Sequence, residues 1–252
     1  MESYATAQQV FAAGLVFARL GAIVMLLPGL GEAFIPPRIR LAFALSLSLM
    51  MFPLIHGAPP VPSDAGSLAG AVLKEMLIGL MIGGVIRLFM NSLAAAGEVV
   101  SLATTLSFAQ TANPMLGQPT ATLGTFLGIL GMVLIFTTDL HHLFIAAVAQ
   151  SYDLFPFSRS VPVADAGQLA IQTVGRSFAL GIQLSAPVLA FSLIFNVATG
   201  LVARVMPQFQ VFFVASPAAI LLGLSVFALS LGVVGMVWVD RYRDLLGAFA
   251  KP

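Results

Sequence analysis

The sequence predicts an all-α integral membrane protein, on three observations. Of its 252 residues, 59% are hydrophobic and only 8% are charged, whereas soluble domains carry about 25% charged residues. Apolar segments recur along the chain between short connectors rich in proline and glycine, and the mean hydropathy is +1.02. Within one segment a polar seam is embedded: Gly84, Arg87, Asn91, Ala94, Glu98, Ser101 and Thr105 follow at steps of three and four, which places them on one face of an α-helix. That face runs about 30 Å at 1.5 Å per residue, close to the thickness of a hydrocarbon core. Lipid cannot solvate Arg87 or Glu98, so the face must turn toward protein or water.

The elements follow in order. Residues 8–31 form an apolar segment interrupted by Arg19 and ended by Pro28, Gly29 and Gly31. Glu2 is the only charge ahead of Arg19, so the basic n-region of a cleaved signal peptide is missing and this segment is expected to be retained. The FIPPRIR stretch (34–40) reads as a connector, with Arg38 and Arg40 its positive spot. Residues 41–55 are apolar but shorter than the roughly 20 residues a spanning helix needs. GAPPVPSDAGS (57–67) is a loop by composition. A long helix is predicted over about 68–107, with Gly79 and Gly83 a small-xxx-small pair that permits close helix approach.

Residues 108–119 break that helix: Pro114 and Pro119 lack amide donors, and Asn113 and Gln118 before them are biased away from helix. Then come an apolar segment over 120–138 with a second pair at Gly124 and Gly128, a TDLHH boundary at 138–142, a short helix over 143–151, and a loop over 156–167. The last third reads as one hairpin: a helix over 170–203 with Pro187 inside it, a turn from Arg204 to Gln210, and a charge-free helix over 211–239 ending at Trp238, which suits an interfacial anchor. About 27 charge-free residues over 177–203 reach roughly 40 Å, more than the hydrocarbon core needs. Segments both too short and too long point to helices packed in an assembly as well as to plain spans. Positive-inside counting puts the N-terminus outside; six crossings then put the C-terminus outside too, against the charges of Arg241, Arg243 and Lys251.

Several function classes drop out. A net charge of +1 without a basic run favours no nucleic acid, and the lack of cysteine excludes disulfides and thiolate metal sites. Asp139, His141 and His142 have only His56 as a further histidine, and no HExxH or similar ligand spacing exists, so no metal and no cofactor are expected. With no GxSxG, SxxK or phosphate-binding loop, no enzymatic activity is expected either.

What remains is a passage. The seam residues Arg87, Asn91, Glu98, Ser101 and Thr105 either line an aqueous route or pair with neighbouring helices, and both readings fit the residues. The break after them consists of Phe108, Ala109, Gln110, Thr111, Ala112, Asn113, Pro114, Met115, Leu116, Gly117, Gln118 and Pro119. An ordinary connector is the alternative, but Phe108, Met115 and Leu116 are too apolar for a solvent loop. Non-helical backbone at membrane depth belongs in a protein interior or along a cavity. Phe and Met block water without binding anything tightly, so the stretch is read as a gate or plug. Arg38 and Arg40, with Met206, Pro207, Gln208, Phe212 and Phe213 at the hairpin tip, are read as subunit contacts. A secondary transporter, which binds substrate at a discontinuous helix, and a membrane scaffold without a passage are the rival classes.

Four stretches resemble the FliR family of flagellar type III export-gate proteins: FARLGAIVMLLPGLG (17–31), PPRIRLAFALSLSL (36–49), EMLIGLMIGGVIRLF followed by AGEVVSLATTLSFAQTANP (75–114), and VMPQFQVFFVASP (205–217). They occur in the family's order. The resemblance implies a non-catalytic subunit in a single membrane domain, with a FliP-like helical part over 1–169 and a FliQ-like hairpin and tail over 170–252. It implies assembly with FliP-like and FliQ-like subunits, beside other export-apparatus membrane proteins, into a helical gate in the bacterial inner membrane at the flagellar basal body. The gate passes unfolded flagellar subunits outward, separate proteins supply the ATPase and proton-driven steps, and the loop matching 108–119 helps close the channel. Injectisome export-gate proteins share the fold. Glu98 stands where family members often carry Gln, so a neutral lining is not implied at that position.

Overall fold

Thr6 sets the first helix. Its hydroxyl oxygen accepts from the Gln9 amide at 3.3 Å, while the Gln9 side chain accepts from the Thr6 amide at 2.9 Å, a reciprocal cap that satisfies two otherwise orphaned donors. Helix α1 runs Ala7–Leu26 and gives way to extended backbone at Leu27, ahead of Pro28. The computed structural model describes residues 6–32, 34–55, 59–107, 122–158, 163–208 and 210–249, and among these it contains helices and connectors without strands.

Helix α2 spans Pro37–Met51 and continues as a 3₁₀ turn over Phe52–Leu54. The connector expected over 34–40 is therefore shorter. Pro37 takes a first-turn position, where a fixed φ and a missing amide suit a helix start. Arg38 and Arg40 thus lie on α2, and Pro37–Leu54 makes 18 residues apolar and long enough to cross a membrane, against the short segment expected over 41–55.

Helix α3 covers Ala65–Ala103 in 39 residues. Asp64 precedes it and accepts from the Ser67 amide at 2.8 Å and the Ser67 hydroxyl at 2.6 Å. Those two bonds, the hydroxyl's first, hold the Asp64 carboxyl below its ordinary 3.8. Because the folded-state value is depressed, the contribution to stability is complete above the unfolded carboxylate range and is lost as pH falls through the lowered value. Asp64→Asn, which cannot titrate, should therefore lose less stability than the parent between pH ~5 and the acid limit; parallel acid slopes in thermal unfolding would contradict this.

The predicted continuation of α3 to 107 is not found: Thr104 and Thr105 form a turn, and Thr105 has φ 60. Helix α4 spans Thr122–Thr137 and α5 spans Leu140–Leu154, joined through Asp139 at φ 58 with a bend of 79°. Helix α6 runs Val163–Val205, starting inside the stretch expected to be a loop and continuing through Pro187. Helix α7 runs Val211–Phe249, well past the expected end at 239. This extension places Trp238 inside the fold: it is fully buried and stacks on Tyr242 at 5.2 Å between ring centroids. The interfacial-anchor expectation for Trp238 fails, because the helix does not end there.

Among the described residues, five helices are long and apolar enough to cross a membrane, or six if the bent α4–α5 pair makes one span. The chain divides into two compact units. The first holds residues 1–89, 139–174 and 243–252, with Leu15, Leu20, Ile23, Ile78, Ile86 and Val148 buried. In it Gly79 lies against the Arg19 carbonyl and the Ala22 side chain, leaving no room for a Cβ; this close approach of α1 and α3 is what the predicted small-residue pair permits. The second holds residues 90–138 and 175–242, with Leu93, Val100, Leu127, Leu184, Val188 and Trp238 buried. Many large apolar side chains stay exposed on α2, α6 and α7, among them Met50, Ile171, Ile194 and Leu229. Faces of that kind belong against lipid or other subunits.

Candidate functional site

Hydrophobic residues at helical spacing turn one side of α3 into the fold: Ile78, Ile82, Ile86, Phe89, Leu93, Ala96 and Val100 are buried. Of the polar residues interleaved with them, Arg87, Asn91 and Glu98 fall on the other side. In the first unit Arg87 is half-exposed and lies 3.7 Å from Glu32. In the second, Asn91 and Glu98 are exposed, Ser101 is buried, and Thr105 lies beyond the end of the helix. The charged part of the seam thus faces away from the chain's own core, toward water or another protein.

The exit of α3 is anchored at its last turn. Thr104 bonds back to the Val100 carbonyl at 2.9 Å, and the Thr105 hydroxyl pairs with Ser216 on α7 at 3.2 Å. Gly223, also on α7, sits against the Thr104 methyl with no room for a side chain. A β-branched residue in the left-handed region is uncommon and costs on the order of 1–3 kcal/mol; these contacts hold it there. The predicted plug, Phe108 to Pro119, lies outside the described residues.

Sequence reasoning missed the most concentrated polar cluster. Arg19, read above only as an interruption of an apolar segment, is fully buried. Its Nε donates to Glu75 at 2.6 Å, one Nη to the Ser151 carbonyl at 3.0 Å, and the other to the Phe155 carbonyl at 2.7 Å. The guanidinium also lies 4.0 Å from the centre of the Tyr152 ring, a cation–π contact in a desolvated setting. Next to it the Lys74 ammonium donates to the Phe157 carbonyl at 2.6 Å. Three elements, α1, α3 and α5, are tied at one guanidinium. A legible signal existed: opposite charges stranded in two apolar segments each need a partner. A cleft of about 520 Å³ adjoins the pair, walled by Phe11, Pro59, Pro60, Lys74, Tyr152 and Phe157.

Of the residues read as subunit contacts, Arg38, Met206, Pro207 and Gln208 are exposed and Arg40 is half-buried. Phe213 is 71% exposed at the start of α7, and the Phe212 side chain lies outside the described residues. Val205, Met206 and Pro207 at the tip therefore offer an apolar surface, with Val205 at 80% exposure.

Comparison with known proteins gives a consistent result. The family described as bacterial export proteins, family 1, matches residues 10–245. The chain is 59% identical over 250 residues to the flagellar biosynthetic protein FliR of Caulobacter vibrioides, covering 99% of this chain and 100% of the relative. It is 26% identical to FliR of Bacillus subtilis over 242 residues, 92% of this chain and 93% of the relative. Similarity extends to the Yop proteins translocation protein T of Yersinia pestis, 24% identical over 206 residues, 81% of this chain and 79% of the relative.

Proposed function

The chain belongs to the bacterial export proteins of family 1, in the FliR family, and from that premise we propose that it forms part of the wall of a protein-export channel in the bacterial inner membrane. It is a multi-pass membrane component of the flagellar type III export apparatus, and hence a member of an export complex. The single observation that carries the reading is the end-to-end match, 59% identical over 99% of the chain, to a flagellar biosynthetic protein. In the fuller reading, the FliP-like part over 1–169 and the FliQ-like hairpin over 170–252 stand beside separate FliP-like and FliQ-like subunits. Unfolded flagellar subunits are the cargo.

The seam's outward-facing Arg87, Asn91 and Glu98 support a role against water or a neighbouring subunit. Residues 108–119 are the channel plug. Deleting Gln110–Gly117 should make cells carrying the assembled gate leak small ions and solutes severalfold faster than the parent. Unchanged leak through a gate that assembles normally would rule out the plug. The assembly itself is tested by native mass spectrometry of the tagged protein extracted gently from its host. A complex containing several copies of two smaller hydrophobic proteins is the expected result; a stable monomer or homodimer would overturn it.

A further inference from the structure

The segment Thr138-Asp139-Leu140-His141-His142 carries no metal-binding spacing as a sequence. In an uninterrupted helix, residues one position apart are about 100° apart in direction, so His141 and His142 would diverge. The structure interrupts the helix just before them, at Thr138 and Asp139, so that His141 and His142 stand in the first turn of α5 and Asp139 is redirected toward them. Asp139 adopts the left-handed conformation, φ 58 and ψ 18, ahead of α5. The His142 amide closes the turn on the Asp139 carbonyl at 3.1 Å.

The outcome is a convergence of donors. One ligand atom from each of Asp139, His141 and His142 lies within 4.8 Å of the others. Asp139 Oδ1 and His142 Nδ1 are 3.7 Å apart, and the two imidazole centroids are 4.0 Å apart, tilted by 39°. Ligand atoms around a tetrahedral zinc ion stand about 3.3 Å apart, given metal–nitrogen bonds of about 2.0–2.1 Å. Closing the remaining gaps calls for rotation of the side chains; those of Asp139 and His142 are 79% and 71% exposed, and His141 is half-buried. Left-handed backbone suits few residue types; Asp is one of them, and it also brings a carboxylate.

We propose that Asp139, His141 and His142 bind one first-row transition-metal dication of the zinc class. Two imidazoles and one carboxylate match the preference of Zn²⁺ and Co²⁺, whereas Mg²⁺ and Ca²⁺ take shells of oxygen donors. Three protein ligands leave a coordination position for water or a donor from another protein. The bound ion would tie Asp139 to the first turn of α5 and fix that turn.

The full chain, purified in detergent with a histidine-free tag and stripped by a chelator, is titrated with Co²⁺ and followed by visible d–d absorption. The expected result is saturation at one Co²⁺ per chain and displacement by Zn²⁺. His141→Ala and His142→Ala should each weaken binding by about tenfold or more. Asp139→Asn, which keeps a residue tolerant of the left-handed turn, should weaken it while leaving the helix signal in circular dichroism unchanged. His56→Ala should bind like the parent. Absence of saturable absorption, or equal affinity in the His141→Ala/His142→Ala double variant, overturns the site.

Discussion

Replacing Arg19 by leucine is expected to destabilise the folded chain by about 3–5 kcal/mol, because it leaves the Glu75 carboxylate buried without its partner. The Phe155 carbonyl loses the Arg19 donor in the same step, while the Ser151 carbonyl keeps the Phe155 amide at 2.9 Å, and an unsatisfied buried acceptor costs about 1–3 kcal/mol. Glu75→Leu should be comparably damaging, since it strands a guanidinium that is fully buried. Replacing both residues by leucine is expected to recover most of the loss, as an apolar pair of similar volume needs no desolvation of charge. Unfolding of the two single variants and the double variant, measured in the same detergent, forms the cycle that isolates the pair. Single variants within ~1 kcal/mol of the parent, or a double variant as unstable as the two losses added, would refute the role given to this pair.

A similarly large loss is expected from Gly97→Val. A Cβ built on Gly97 falls onto the backbone nitrogen and Cα of Gly124. Backbone cannot rotate aside as a side chain does, so α3 and α4 must separate where they cross. Overpacking in a well-filled interior typically costs about 1–3 kcal/mol, and contact with backbone belongs at the upper end or beyond. Gly128→Ala is the matched control. It stands on α4 with nothing within 4 Å of the added carbon, and alanine is the better helix former by about 1 kcal/mol. Equal melting temperatures for Gly97→Val and Gly128→Ala would show that the close approach carries no energy. Among the small residues singled out by spacing, Gly79 and Gly83 face α1. Of the second pair, Gly128 has open space around it, whereas Gly124 is met at close range by Gly97, which no pattern marked.

How far the sequence reached can be judged residue by residue. The long apolar helices, the break near Pro28 and the end of a helix just before Met206-Pro207 follow from composition and from proline and glycine chemistry, whereas the end of α3 at Thr104 and Thr105, where the sequence carries neither proline nor glycine, was not legible. The polar seam was legible because period 3.6 is a local property. Pro37 was misread, since proline ends one helix and starts another by the same fixed φ. Trp238 was misread because an interfacial tryptophan and a buried one look alike in sequence, and only the course of α7 past it distinguishes them. The outcome at Asp139 likewise waited on a backbone conformation.

The sequence by itself determined that this chain is helical, membrane-embedded and related to the export family, since residue type and spacing within a few turns carry that information. Only the tertiary structure decided the rest. Arg19 finds Glu75 at a separation of 56 residues, and Gly97 meets Gly124, because α3 packs against α1 in one unit and α4 in the other. Packing of this kind is chosen by the shape of whole helix faces, and no local rule about a single residue specifies which face it will meet.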